Sequence, residues 1–396
     1  MSTPQNDTPT PPQPRRNPLA WANPVDLVLA STRLYSSLPV VGKHLEPFAG
    51  LTAMAIYGGQ YAPSALRAAV ARRIGPASTV PAPVEQQSVA VAAAAELIAQ
   101  PRGSRIPPYV RFRGQRKRSL HRSSVRYGGH PAQLLDVWRL PELPVQPAPV
   151  LLFVPGGAWV QGTRVLQGHT LLAHLVKQGW VCLTMDYRVS PVHRWPRHIA
   201  DVNAAIAWAR ANVDQFGGDR DFVTIAGCSA GGHLAALAGL TPGDPTFRGE
   251  LDDTADTSVD AVVGIYGRYD WEDRSTAARA NFQGFLERVV VGRKQSRHPE
   301  IFTAASPMAR IHADAPPFFL IHGEQDKLIP AEEARNFRSA LGAVSHNPVG
   351  YYEIPRAGHA FDLVDTSHAR RCAVEVTRFL TEVKDRHMSS RAAAAV

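Results

Sequence analysis

Apolar and polar positions change rhythm along this chain. Up to about residue 122 the apolar residues come in short clusters broken by Pro and Gly. From about Ser123 onward, near-continuous runs of Val, Leu, Ile and Phe alternate with stretches of helical period. The runs predict strands over residues 134–138, 150–154, 181–187, 222–226, 261–266, 318–322 and 351–354. Helical spacing falls between them over 171–178, 199–213, 230–240, 331–341 and 369–383. Apolar runs without polar alternation suit strands buried on both faces, hence a mostly parallel sheet covered by helices. The expected class is α/β, with no internal repeat.

The remainder of the chain divides by composition. Residues 1–18 read as a flexible Pro-rich tail, residues 19–122 as a leader of short helices ending in a basic linker, and residues 123–396 as the main domain. The net charge of +9 on 396 residues has a local origin. Between Arg102 and Arg126 there is no Asp or Glu, while Arg102, Arg105, Arg111, Arg113, Arg116, Lys117, Arg118, Arg122 and Arg126 all fall there. The plain reading is a solvated basic linker. A second is a patch resting on anionic lipid headgroups. Nucleic acid is not an expected partner, because no reader motif accompanies the charges and only Tyr109 and Phe112 are nearby aromatics. Cys182, Cys228 and Cys372 are too scattered for a disulfide framework or a zinc site and read as small core residues. The first residues lack the pattern of a secretory signal. The Ala-rich stretch 88–99 is interrupted by Glu96 and stopped by Pro101, too short to span a bilayer.

Chemistry enters at "VTIAGCSAGGHLAAL", where an apolar strand reaches Gly227, Cys228, Ser229, Ala230 and Gly231 and turns into a small-residue helix. This is GxSxG in the strand–turn–helix setting that the motif requires. The turn is so tight that a side chain two residues either side of the serine would meet backbone, so Gly stands at both places. The hydroxyl then sits at a helix N-terminus, where free N–H groups favour developing negative charge. A serine hydroxyl is a weak nucleophile and needs a base, which in turn needs an orienting acid. In "FFLIHGEQDKLIP" Asp326 follows a strand end; in "YYEIPRAGHAFDL" His359 follows another. The order Ser229, Asp326, His359 is that of α/β-hydrolases, each residue just beyond the carboxyl end of an expected strand. Glu324 and Asp270 compete for the role of acid; the spacing after Gly323 favours Asp326. His233 and His322 read as structural, and Cys228 as packing.

An oxyanion formed on an attacked carbonyl calls for preorganised N–H donors. "FVPGGAWVQG" offers Gly156 and Gly157 at the end of an earlier strand, to act together with the amide of Ala230, and Trp159 beside them is expected to line the acyl or alcohol pocket.

Taken together, PGGAW at 155–159, DYRVSP at 186–191, FGGD at 216–219, GCSAG, the Gly323–Asp326 spacing and the final GHAF resemble the hormone-sensitive-lipase-related carboxylesterases. The similarity runs from about Ser123 to the C-terminus with parts of the leader. One departure is Pro155, where the family usually carries His. The resemblance implies activity on short- or medium-chain acyl esters and association with the cell envelope. In such a fold the insertion between Asp270 and Pro317, with its helix-like stretch 277–291, often forms a lid.

The expected protein is therefore a serine carboxylesterase working through an acyl-enzyme on a small acyl ester or lipid, with no metal and no organic cofactor. An amidase or acyltransferase using the same three residues is the alternative, and a non-catalytic hydrolase-fold binding protein a more distant one.

Overall fold

A computed structural model describes residues 108–394 apart from 166, 364 and 365. The tail expected over 1–18 and the leader up to residue 107 lie outside the described residues. From Pro108 on, the basic stretch is helix α1 (Pro108–Ser119) and strand β1 (Leu120–Arg126).

Eight strands form one sheet in the order β1-β2-β4-β3-β5-β6-β7-β8. They are β1, β2 (Leu134–Trp138), β3 (Ala148–Val154), β4 (Val181–Met185), β5 (Gly218–Cys228), β6 (Val262–Ile265), β7 (Phe318–Gly323) and β8 (Val349–Ile354). β2 pairs antiparallel with β1 and with β4; every other pairing is parallel. Every residue of β4, β6 and β7 is buried, which is why these strands read as unbroken apolar runs. β1 is the strand that the pattern missed. Its sequence LHRSSVR lies at the sheet edge and is mostly exposed, so pairing to β2 and not hydrophobicity makes it a strand.

Alternate residues of β3 feed two cores, one on each face: Val150, Leu152 and Val154 belong to one, Leu151 and Phe153 to the other. The first core is closed by α3 (Arg197–Asn212), α4 (Ala230–Leu240) and α7 (Glu332–Gly342) through residues such as Ile206, Leu234 and Phe337. The second is closed by α2 (His169–Lys177) and α8 (Ser367–Ala394) through Leu172, Val176, Val376 and Leu380. Among the described residues no helix is long and apolar enough to cross a membrane.

The insertion after Asp270 is built into the first core. The expected helix 277–291 is an α-helix, α5 (Ala277–Phe285), followed by a π-helical turn (Leu286–Val291), and a further short helix, α6 (Pro299–Ala305), follows. Thr276 caps α5 by accepting the Arg279 N–H. Leu286, Val290, Phe302 and Ala305 are fully or nearly fully buried, so the insertion is a packed wall.

Candidate active site

The turn between β5 and α4 holds Ser229 at φ 54°, ψ −118°, a conformation uncommon for any residue but glycine. A Cβ on Gly227 would lie 2.1 Å from the Gly231 carbonyl oxygen, and one on Gly231 would lie 2.1 Å from that of Val154. Both glycines are thus demanded by space. The Ser229 N–H donates to the Ile265 carbonyl at 2.9 Å, and the Ser229 carbonyl accepts the His233 N–H at 3.1 Å, starting α4.

Ser229 Oγ stands 3.0 Å from His359 Nε2, and His359 Nδ1 stands 2.7 Å from Asp326 Oδ2. Asp326 Oδ1 accepts the N–H groups of Leu328 and Ile329, each at 2.9 Å. Burial by itself would raise this carboxyl, but the hydrogen bonds from His322, His359 and the Ile329 N–H outweigh it and hold Asp326 well below the usual carboxylate range. An ionised carboxylate only accepts, so Nδ1 carries the proton and Nε2 is left to accept from the serine hydroxyl. The loops bearing the two residues meet at Gly323, where a Cβ would lie 2.6 Å from the Ala357 carbonyl oxygen.

The competing acids lie elsewhere. Glu324 is exposed and accepts the Arg356 N–H at 2.7 Å. Asp270 accepts the N–H groups of Glu272 and Asp273 at the start of the insertion. His322 is fully buried; its Nε2 lies 2.8 Å from the Ile329 carbonyl and 3.2 Å from Asp326 Oδ2.

The loop after β3 has a more divided role than its sequence suggests. The Gly156 N–H donates to Gln167 Oε1 at 2.6 Å, so it does not face the serine. What Gly156 contributes is room: a Cβ there would lie 2.7 Å from the Cys228 carbonyl oxygen and 3.0 Å from Ser229 Cβ. Gly157, Ala158 and Trp159 follow with φ of 134°, 52° and 58°. For the Gly157 N–H the described residues provide no acceptor, and the Ala230 N–H opens α4, where no intrahelical acceptor exists. Pro155, in the place of the family's usual His, is held through its carbonyl by the Tyr187 hydroxyl at 3.0 Å. Trp159 is only 2% exposed. Its indole N–H donates to His233 Nδ1 at 3.3 Å, and its ring meets Trp271 edge-on at 5.0 Å. His233 Nε2 in turn donates to the Ala305 carbonyl at 2.8 Å, and burial pushes this ring down to about 3, so it is neutral. Trp159 and His233 thereby fasten the insertion to α4.

Two further residues adjoin His359 that sequence reading did not single out. The Tyr266 ring, at φ 39° just beyond β6, packs 4.7 Å from the imidazole, and its hydroxyl donates to Asp362 Oδ1. Burial raises the Asp362 carboxyl while this hydrogen bond opposes the rise. No motif points to either residue; the carboxyl partner is 96 positions away.

Residues 135–341 match the sequence signature of the BD-FAE family. Esterase LipC of Mycobacterium tuberculosis is 53% identical over 382 residues, covering 92% of this chain and 93% of the relative. Esterase LipQ of the same organism is 42% identical over 70% of this chain and 66% of its own length. Among solved structures, a truncated carbohydrate esterase from gut microbiota superposes with TM-score 0.57 at 24% identity, over 67% of this chain and 98% of that one. Butyrate-bound esterase 2 of Thermogutta terrifontis does so with TM-score 0.56 at 22% identity, over 67% and 94%. These likenesses are of fold.

Proposed function

Because the chain belongs to the BD-FAE family and to the esterase group that includes LipC, we propose that it is a serine carboxylesterase acting on short- to medium-chain acyl esters through an acyl-enzyme. Ser229 Oγ attacks the ester carbonyl as His359 Nε2 takes its proton. Asp326 keeps Nδ1 protonated and stabilises the imidazolium. The tetrahedral oxyanion is received by the amides of Gly157 and Ala230, with Gly156 giving the loop its close approach to the serine. His359 then protonates the departing alcohol, and a water molecule repeats the sequence on the acyl-enzyme to release the acid.

The observation that carries this reading is the unbroken line from Ser229 Oγ through His359 to Asp326, at 3.0 and 2.7 Å. On this reading the insertion, which packs on Trp159 through Trp271, walls the acyl site, and its residues would set chain-length preference. We further propose an association with the cell envelope, for which the exposed Lys117, Arg118, Arg122 and Arg126 would offer cations to anionic lipid. Replacing Ser229→Ala is expected to abolish both nitrophenyl-ester turnover and labelling by a fluorophosphonate. Unchanged labelling would overturn the assignment.

A further inference from the structure

We propose that Gln167 is a positioning residue for ester hydrolysis, locking the oxyanion loop onto the nucleophile turn by accepting two hydrogen bonds at one carboxamide oxygen. The inference rests on the serine-esterase reading above and concerns how its site is held.

Gln167 Oε1 accepts the Gly156 N–H at 2.6 Å and the Cys228 S–H at 2.9 Å. One donor belongs to the loop after β3, the other to the residue immediately before Ser229. β3 and β5 are neighbours, and their ladder ends at the pair Val154 and Gly227. Beyond that pair no backbone bond joining the two strand ends is found among the described residues, yet it is there that the loop amides must be aligned with the serine to a fraction of an ångström. The carboxamide continues the connection where the ladder stops. By fixing the Gly156 N–H it fixes the Pro155–Gly156 peptide plane, the unit immediately before the one that carries the Gly157 N–H.

Its own position is set by shape. Gly168, at φ 72°, lies so close to Phe153 that a Cβ would sit 2.7 Å from the ring. Burial pushes the Cys228 thiol well up, keeping it protonated and a donor. A neutral acceptor suits this place, since an amide oxygen has two lone pairs for two donors and adds no net charge where an oxyanion must form. A carboxylate would meet the same donors but oppose that charge.

The test measures kcat, KM and melting temperature for wild type, Gln167→Ala and Gln167→Glu, with Ser229 occupancy counted by fluorophosphonate. For Gln167→Ala, kcat is expected to fall about tenfold or more while KM changes less than about threefold, as for weakened oxyanion stabilisation. For Gln167→Glu, kcat should approach wild type at low pH, where the new carboxyl is neutral, and fall as it ionises, adding a transition absent from wild type. Should the alanine variant not fold, Gln167→Glu and Cys228→Ala, the latter with a smaller kcat loss in the same direction, carry the test. A kcat within twofold of wild type for Gln167→Ala, or a Gln167→Glu profile without the added transition, overturns the proposal. Wild type that does not label at Ser229 would instead defeat the esterase reading itself.

Discussion

Gly156→Ala isolates how closely the loop after β3 must approach Ser229, the proposed nucleophile. The backbone at Gly156 is not in the left-handed region, so alanine meets no conformational penalty there and the effect is one of space alone. The added Cβ would lie 2.7 Å from the Cys228 carbonyl oxygen. Ordinary contact begins at 3.4 Å, so the shortfall is 3.4 − 2.7, about 0.7 Å, against a backbone atom that cannot rotate away. The loop must retreat by roughly that distance, which stretches the Gly156–Gln167 hydrogen bond and draws the Gly157 amide from the oxyanion position. A misplacement of about 1 Å at a reacting centre costs on the order of a hundredfold, so kcat is expected to fall roughly ten- to a hundredfold. Overpacking should cost about 1–3 kcal/mol of stability. The assay is steady-state hydrolysis of nitrophenyl butyrate with thermal unfolding alongside. Gly129→Ala serves as control, because a Cβ there meets nothing within 4 Å. If Gly156→Ala turned over within twofold of that control, the close approach would be irrelevant to chemistry and the argument would fail.

Two other perturbations follow from the same geometry. Asp326→Asn should leave KM nearly unchanged and lower kcat by about 10⁴, because an amide N–H facing Nδ1 favours the tautomer that cannot accept the serine proton; a loss below tenfold would place the orienting acid elsewhere. His233 is held neutral at about 3 against an ordinary 6.5, so between those values the unfolded chain binds a proton that the folded one refuses, and stability falls as pH falls. From pH 7 to pH 5 this single group should remove about 2 kcal/mol, and His233→Gln should shrink the wild-type pH dependence of urea unfolding by that amount. An identical pH dependence in the variant would contradict the buried neutral assignment.

Most of the sheet was legible because burial on both faces writes itself as an apolar run. All seven expected strands are present with ends shifted by a few residues: β5 begins at Gly218 and not at Phe222, where pairing outlasts hydrophobicity, while β4 stops at Met185, short of the buried Tyr187. β1 was not legible, since an exposed edge strand needs no apolar residues. The sharp turn at Ser229 was legible for a steric reason: at Gly227 and Gly231 only glycine fits, so the constraint is local and leaves a fixed spacing. Asp326 and His359 could be named because each follows a strand end in a recognised order.

The roles of Gly156, Gln167, Trp159 and the Tyr266–Asp362 pair were not legible, because each depends on what stands opposite it across another element. Two adjacent glycines read alike in a sequence, yet Gly156 gives its N–H to a side chain eleven positions on while no described residue accepts that of Gly157. Local sterics and hydrophobic period thus determined which segments become strands, where the sharp turn falls and which residue types reach the sheet's carboxyl edge. The direction of each donor and the packing of the insertion were decided only when distant segments met, since a hydrogen bond or a ring contact is a property of two positions and leaves no period in either.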